Sequence, residues 1–287
     1  MDKQSESLIL AIRSLPVLPN VVMRIGAIIS NTDSTVEDVV NALKMDPVLC
    51  GKVLKLANSA YVGLPRTISS VKNAVVLLGQ KRIHSLVLGT SILSTLALPQ
   101  KTLVSLYRFW KHSITVGMIA ESIARHLRRY HPIETEDVFS AGMLHDIGIL
   151  VLGSWDPLSL DYSIREGKRR NEPFYSVEDP MRSHTVVGNA LCDHWNFPDL
   201  LKQGVAFHHT PHLSSGANGM VCIVHIADIM AHIIGFSTFD QTVVPEPMQQ
   251  ALDEVRLPIE RLRVIADDAL KNEKQIESVI DFCNVPM

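Results

Sequence analysis

Little in this chain points to a membrane, a disulfide framework or a nucleic-acid footprint. Its four cysteines, Cys50, Cys192, Cys222 and Cys283, lie far apart, and none belongs to a C-x-x-C pair. That spacing argues against a disulfide scaffold and a thiolate zinc site. It reads instead as reduced, mostly buried thiols in a cytoplasmic protein. No apolar run reaches the ~18 residues needed to cross a bilayer. The segment Met1–Ser14 lacks the basic start and apolar core of a secretory signal, so no membrane association is expected. Charge is nearly balanced, with 27 Lys and Arg against 30 Asp and Glu, so no direct nucleic-acid binding is expected. The densest basic clusters, Arg125/Arg128/Arg129 and Lys168/Arg169/Arg170, are short and read as solvated helix ends or loops.

Helical punctuation, in contrast, is abundant. Pro19 is expected at the first helical position before the stripe Val21, Val22, Ile25, Ile28 and Ile29, which repeats at helical period. Ser34 and Glu37 have capping-box spacing. Asp46-Pro47 reads as an N-cap followed by a first-turn proline. Ser69 or Ser70 can cap a helix that Gly79 ends. Further helices are expected over Lys81–Leu96, Leu103–Tyr130, Asp137–Leu152, Met181–Trp195, Asp199–His209, Gly219–Ile234 and Pro258–Phe282. The polar stretch Asp156–Pro180 is expected to be a short helix with loops or a mobile connection. The expected fold class is all-α. Its expected parts are an N-terminal helical block (1–98), a helical core (99–240) and a C-terminal helical extension (241–287).

Histidine is the unusual residue, with twelve copies, nearly all between His112 and His232. His145-Asp146 interrupts the apolar segment 141–150, where an imidazole beside a carboxylate needs partners. A bond between the two or to nearby backbone would meet that need. Taken singly, His112 reads as a half-buried histidine and His184 as a capping or surface residue. His208-His209 can be a pair at a helix C-terminus. His225, Asp228 and His232 share a helix face and can bond to one another. Taken together, His112, His145, Asp146, His184, His208, His209 and Asp228 form a nitrogen and oxygen donor set without sulfur. Such a set suits one or two divalent ions among Fe, Mn, Zn and Mg. Two ions bridged by a carboxylate can activate water and clamp a phosphoryl group.

The order His112, His145-Asp146, Asp228 resembles the H…HD…D pattern of the HD superfamily of metal-dependent phosphohydrolases. With His184 and His208-His209 added, it is similar to the dinuclear branch that contains the HD-GYP phosphodiesterases. The chain as a whole most resembles the HDOD family, an HD-related output domain. The resemblance rests on Leu15-Pro16-Val17-Leu18-Pro19, on Asp46-Pro47-Val48-Leu49 with Val53 to Tyr61, and on Ile68 to Gly79. It covers about residues 10–235. It implies a bacterial signal-transduction role in a multi-helix fold, with an N-terminal block packed on an HD-like core. Three departures point away from catalysis. Ile149 stands where active relatives often carry Lys. No Gly-Tyr-Pro follows His208-His209. Arg108 stands where some dinuclear relatives use Glu, and there it would repel a cation or receive a phosphate.

The principal reading is therefore a regulatory binding or output module with a protein partner. A metal-dependent phosphohydrolase acting on a nucleotide or cyclic dinucleotide is the alternative, with Asp146 as its central residue. A structural role for the constellation, stapling helices together, is the third.

Overall fold

The computed structural model describes residues 18–59, 67–95, 102–128, 133–215, 218–240 and 243–283, with Leu10, Ile12, Val62, Leu98 and Pro99. Among the described residues there are helices and no strands. In chain order the helices are α1 (Asn20–Ser30), α2 (Val36–Lys44), α3 (Pro47–Ala57), α4 (Val71–Leu78), α5 (Gln80–Thr95), α6 (Leu106–Leu127), α7 (Thr135–Leu144), α8 (Ile147–Trp155), α9 (Pro157–Arg170), α10 (His184–His194), α11 (Asp199–Phe207), α12 (Asn218–Ile233), α13 (Gln249–Val255), α14 (Ile259–Lys271) and α15 (Glu273–Cys283). Short 3-10 turns lie at Phe174–Val177 and Pro211–Leu213. The chain forms two compact units. One comprises Met1–Leu15 with Leu96–Leu270, the other Pro16–Thr95 with Lys271–Met287.

In the smaller unit, side-chain chemistry sets the helix ends. Asp46 accepts from the Leu49 N–H ahead of Pro47, and Ser70 accepts from Asn73. Gly79 ends α4 at φ 83°, where a side chain would be strained. The capping box of α2 lies one residue beyond the expected pair: Thr35 and Asp38 form it. Ser34 instead turns its hydroxyl onto the Asn31 carbonyl. Pro19 is the N-cap of α1 and not its first helical residue. The last helix, α15, returns to this unit and packs on α3 and α5, burying Ile276, Val279, Ile280 and Phe282. The single helix expected over 258–282 is two, parted at Asn272.

In the larger unit, α7 and α12 pack against the 22-residue α6. Their core includes Val116, Ile119, Ile123, Val138, Val221, Val224 and Ala227, extended by Val255, Leu262 and Ile265 of α13 and α14. The stretch 156–180, expected to be a short helix with loops or a mobile connection, holds a 14-residue helix over Pro157–Arg170. Asp156 caps it, Pro157 opens it, and Asn171 closes it in the left-handed conformation. Its buried stripe, Leu160, Ser163, Ile164 and Gly167, is narrow enough that polar composition hid it. The run Thr135–Trp155 departs from the expectation of no membrane-length segment. It spans 21 residues and contains an 18-residue window of mean hydropathy 1.4, yet 89% of that window is buried inside the protein. Its apolarity is that of a core helix pair.

Candidate metal centre

The expected helix over Asp137–Leu152 breaks at His145-Asp146, and the break builds the site. Asp146 has φ −93° and ψ 10°, outside the helical well. It occupies the N-cap position of α8 but its side chain caps nothing. The carboxylate turns inward, away from the helix N–H groups that an Asp at this position ordinarily satisfies.

Four imidazoles meet this carboxylate. His112 comes from the middle of α6, His145 follows α7, His184 begins α10, and His208 follows α11; each is fully buried. Each has its Nδ1 committed to an acceptor. His112 donates to the Phe236 carbonyl at 2.7 Å, His145 to Gly142 at 2.7 Å and His208 to Val205 at 3.0 Å. His184 donates to the Glu178 carboxylate at 2.6 Å. With Nδ1 protonated and engaged, each Nε2 points its lone pair into the cluster. The Nε2 atoms of His112 and His145 are 3.3 Å apart, as are those of His184 and His208.

Asp146 divides its two oxygens between these pairs. Oδ2 lies 3.6 Å from His112 Nε2 and 3.5 Å from His145 Nε2. Oδ1 lies 3.4 Å from His184 Nε2 and 3.5 Å from His208 Nε2. His209 completes the second group, its Nε2 3.1 Å from that of His208. Asp228, from α12, completes the first, with Oδ1 3.2 Å from His112 Nε2 and 3.8 Å from His145 Nε2. All seven expected residues therefore meet in one place. They form two groups with Asp146 between them: His112, His145, Asp146 and Asp228, and Asp146, His184, His208 and His209. In the quartet Asp146, His184, His208 and His209, and in the triads His112, His145, Asp146 and His112, Asp228, His232, the possible ligand atoms lie within 4.8 Å of one another.

The chemistry of the donors tests whether a cation fits. Asp228 Oδ1 is buried and makes no well-aligned hydrogen bond, although the Nε2 atoms of His112 and His232 lie 3.2 Å and 3.4 Å from it; with the Nδ1 atoms tethered, the lone pairs of His112 and His145 face it. Acceptor on acceptor in a buried space is costly unless a proton or a cation lies between them. A divalent ion with nitrogen and oxygen ligands satisfies that arrangement, and the tethered Nδ1 atoms are the outer contacts that orient metal-binding histidines. Burial alone would raise the Asp146 carboxyl, but His145, His208 and His184 hold it well below the usual carboxylate range. Asp228 is likewise held low against its burial by His112 and His232. Burial presses His145 down to about 4. It would depress His112 and His184 too, but Asp228 and Glu178, respectively, more than offset it and lift both above the ordinary histidine value. Protons on those two rings are the ones a metal would displace.

The HDOD domain model matches residues 15–211. The chain belongs to the HDOD family. Among curated relatives, an uncharacterized protein of Treponema pallidum (strain Nichols) is 26% identical over 230 residues, covering 79% of this chain and 44% of its own length. A proposed signal transduction protein from Marinobacter aquaeolei VT8 shares the fold at a TM-score of 0.80 and 20% identity, covering 97% of this chain and 65% of that one. A proposed phosphohydrolase from Shewanella amazonensis SB2B does so at a TM-score of 0.72 and 23% identity, covering 96% and 98% of the two chains. This HDOD chain thus spans less than half of its curated relative and about two thirds of the Marinobacter protein.

Several contributors to the HDOD centre lack a sequence signal. Glu178 is buried beside His184 and accepts from both its ring and its backbone N–H, yet it stands in an irregular stretch six residues upstream. Thr238 and Phe236 reach the ligands from beyond the end of α12. His232 was legible only as a neighbour of Asp228; its Nε2 lies 3.4 Å from Asp228 Oδ1, forming a third group with His112. His225 does not bond Asp228, as one reading of the shared face allowed. It donates to the His208 carbonyl and accepts from Met248 N–H, tying the ligand loop to the start of α13. Ile149 is fully buried in the core, so no cation stands at that position. The mouth of the centre is narrow: Phe174, Tyr175, Thr238, Phe239 and Pro245 leave a space of about 10 Å³ beside Asp146 and Asp228, room for roughly one water, and solvent reaches its edge at His209 and His232.

Proposed function

We propose that this chain is a cytoplasmic regulatory signal-transduction module whose histidine-aspartate centre holds divalent metal and communicates with a protein partner. One observation carries the reading. Four imidazoles with tethered Nδ1 atoms aim their Nε2 lone pairs at two carboxylates, in a space that a strand of chain and two aromatic rings cover. The donor set supports Fe, Mn, Zn or Mg, and the bridging position of Asp146 supports two ions. The names of the Marinobacter and Shewanella proteins agree with a signalling or hydrolytic ancestry.

A phosphohydrolase acting on a nucleotide or cyclic dinucleotide is the second reading, favoured by the split of the Asp146 oxygens between two ligand groups. Bound metal would supply water activation and charge neutralisation. The chain itself would contribute orientation, through Glu178 and the three backbone carbonyls, and exclusion of water, through Phe174 and Phe239. The narrow mouth weighs against it, because a phosphodiester would have to displace Phe174 and Phe239 to reach the two carboxylates.

The test is elemental analysis of protein purified without a histidine tag or chelator, with a His145→Ala/Asp146→Ala variant alongside. One or two equivalents of metal in the wild type, lost in the variant, is the expected result. An empty centre after anaerobic reconstitution would remove metal from both readings. Turnover of phosphodiester substrates by the loaded protein would replace the regulatory reading with the hydrolytic one.

A further inference from the structure

At the end of α12 the chain reverses. Gly235 adopts φ 83°. Its N–H donates to the His232 carbonyl at 3.1 Å, and the Phe236 N–H donates to Ala231 at 2.9 Å. These two bonds are the paired contacts of a Schellman ending, which sends the following residues back past the helix. Residues 236–240 then cross the mouth of the centre as a strap. The Phe236 carbonyl accepts from His112. The Thr238 hydroxyl donates to Asp146 Oδ2 at a long 3.4 Å. Phe239 sets its ring edge-on to Phe174, with centroids 4.9 Å apart. Asp240 lies outermost, with its side chain 85% exposed and its two oxygens divided between two cations. Arg108 Nη1 of α6 is 3.8 Å from Oδ1, and Lys168 Nζ of α9 is 3.6 Å from Oδ2.

Both distances exceed hydrogen-bond length, and all three side chains are largely in solvent, so this outer latch is weak. A phosphoryl group suits the same two cations better than a carboxylate does. It carries more charge, it offers three oxygens, and a guanidinium fork takes two of them at once. Arg108 is one helical turn from His112, so an anion held there lies against the strap at the edge of the centre. We propose that Arg108 and Lys168 form a receptor for the phosphoryl group of a small-molecule ligand, that Asp240 fills it when the ligand is absent, and that the ligand lifts the strap 236–240 from the centre. Lifting removes the Phe236 partner of His112 and the Thr238 partner of Asp146, so ligand and metal affinities are coupled in both directions. Only this last coupling rests on the metal reading; the receptor stands without it.

The experiment uses inorganic phosphate as the probe and the intact chain, both chelator-treated and metal-loaded. Calorimetric titration gives affinity, and hydrogen exchange reports on residues 236–240. Asp240→Asn removes the internal competitor and is expected to tighten phosphate binding about threefold to fivefold, the range set by a weak surface ion pair. Arg108→Gln is expected to weaken binding at least as much. Phosphate is expected to speed exchange across 236–240 in the wild type and not in Arg108→Gln. Unchanged affinity in both variants, or no response of the strap to phosphate, would overturn the proposal even if metal is bound. An Arg108-dependent response in chelator-treated protein would uphold the receptor even if the centre holds no metal.

Discussion

Gly148→Ala is the sharpest perturbation of the centre, because it acts on a contact between two backbones. A Cβ built on Gly148 in α8 would lie 1.9 Å from the His184 carbonyl oxygen and 2.7 Å from the Gly188 nitrogen of α10. No rotamer change relieves a clash of main chain against main chain. Restoring ordinary contact requires α8 and α10 to part by roughly 1.5 Å. Overpacking of this kind costs about 1–3 kcal/mol or somewhat more, here toward the upper end. For a domain of this size that lowers Tm by roughly 6–12 °C. The same displacement separates Asp146, just before α8, from His184, the first residue of α10. Their 3.4 Å approach would open well beyond the roughly 0.5 Å tolerance of a metal site. His112, His145 and Asp228 lie on other elements, so with α10 taking up the displacement Asp146 keeps its Oδ2 contacts to His112 and His145 and the second group opens first.

The expected outcome is selective. Metal is lost from the second group alone, and the ion that remains is held by the His112 group. Elemental analysis with thermal unfolding in the presence and absence of chelator measures both parts. Gly153→Ala is the control on the same helix, since its Cβ would meet the flexible end of Leu98 at 2.9 Å. Two retained ions of unchanged affinity in Gly148→Ala, or a Tm equal to the control's, would refute the argument that this crossing sets the second group.

Glu178→Gln keeps the shape beside His184 but replaces the carboxylate with a neutral amide, and affinity at the second group is expected to fall roughly 10–100-fold, read by competition with a chromophoric chelator. His84 tests acid stability away from the centre. Burial pushes it down to about 4, so the unfolded chain takes up its proton first as pH falls, and stability drops between about pH 6.5 and pH 4. The loss should be up to about 3 kcal/mol, and His84→Gln should flatten that part of the curve in denaturant titrations. Gly235→Ala places a side chain at φ 83° and should destabilise by about 1–2 kcal/mol, with faster hydrogen exchange in the strap.

Local chemistry made much of the fold legible. Asp46-Pro47, Ser70 and Gly79 mark helix ends because their side chains or φ preferences act within a turn of where they stand. The seven residues of the centre were legible as a set because polar side chains on apolar helices must find one another when buried. What was hidden depends on distance along the chain. The break at His145-Asp146 is invisible to periodicity, since Ala141 to Leu152 is apolar on every face of a helix. Helix α9 has a buried stripe of only four residues among charges. The destination of α15 is not written in its amphipathic pattern, which says that one face is buried but not against what. Glu178 and the strap reach the centre through turns whose direction depends on tertiary packing.

The narrow mouth of the centre and the Arg108 position bear on each other. In a hydrolytic site a cation at Arg108 would bind substrate phosphate beside the metals, and the void at Asp146 would have to admit the reacting group. Here the cation is engaged by the chain's own Asp240, while Phe239 and Phe174 close the space behind it. The strap's inner contacts are to His112 and Asp146, so the centre cannot open without altering two of its own ligands. A catalyst would pay that penalty at every turnover. A switch needs it once per signal, and the penalty itself is what makes the two states distinct. The wiring of the strap through the ligands is therefore the feature on which the regulatory reading proposed above stands, whichever metal the centre holds.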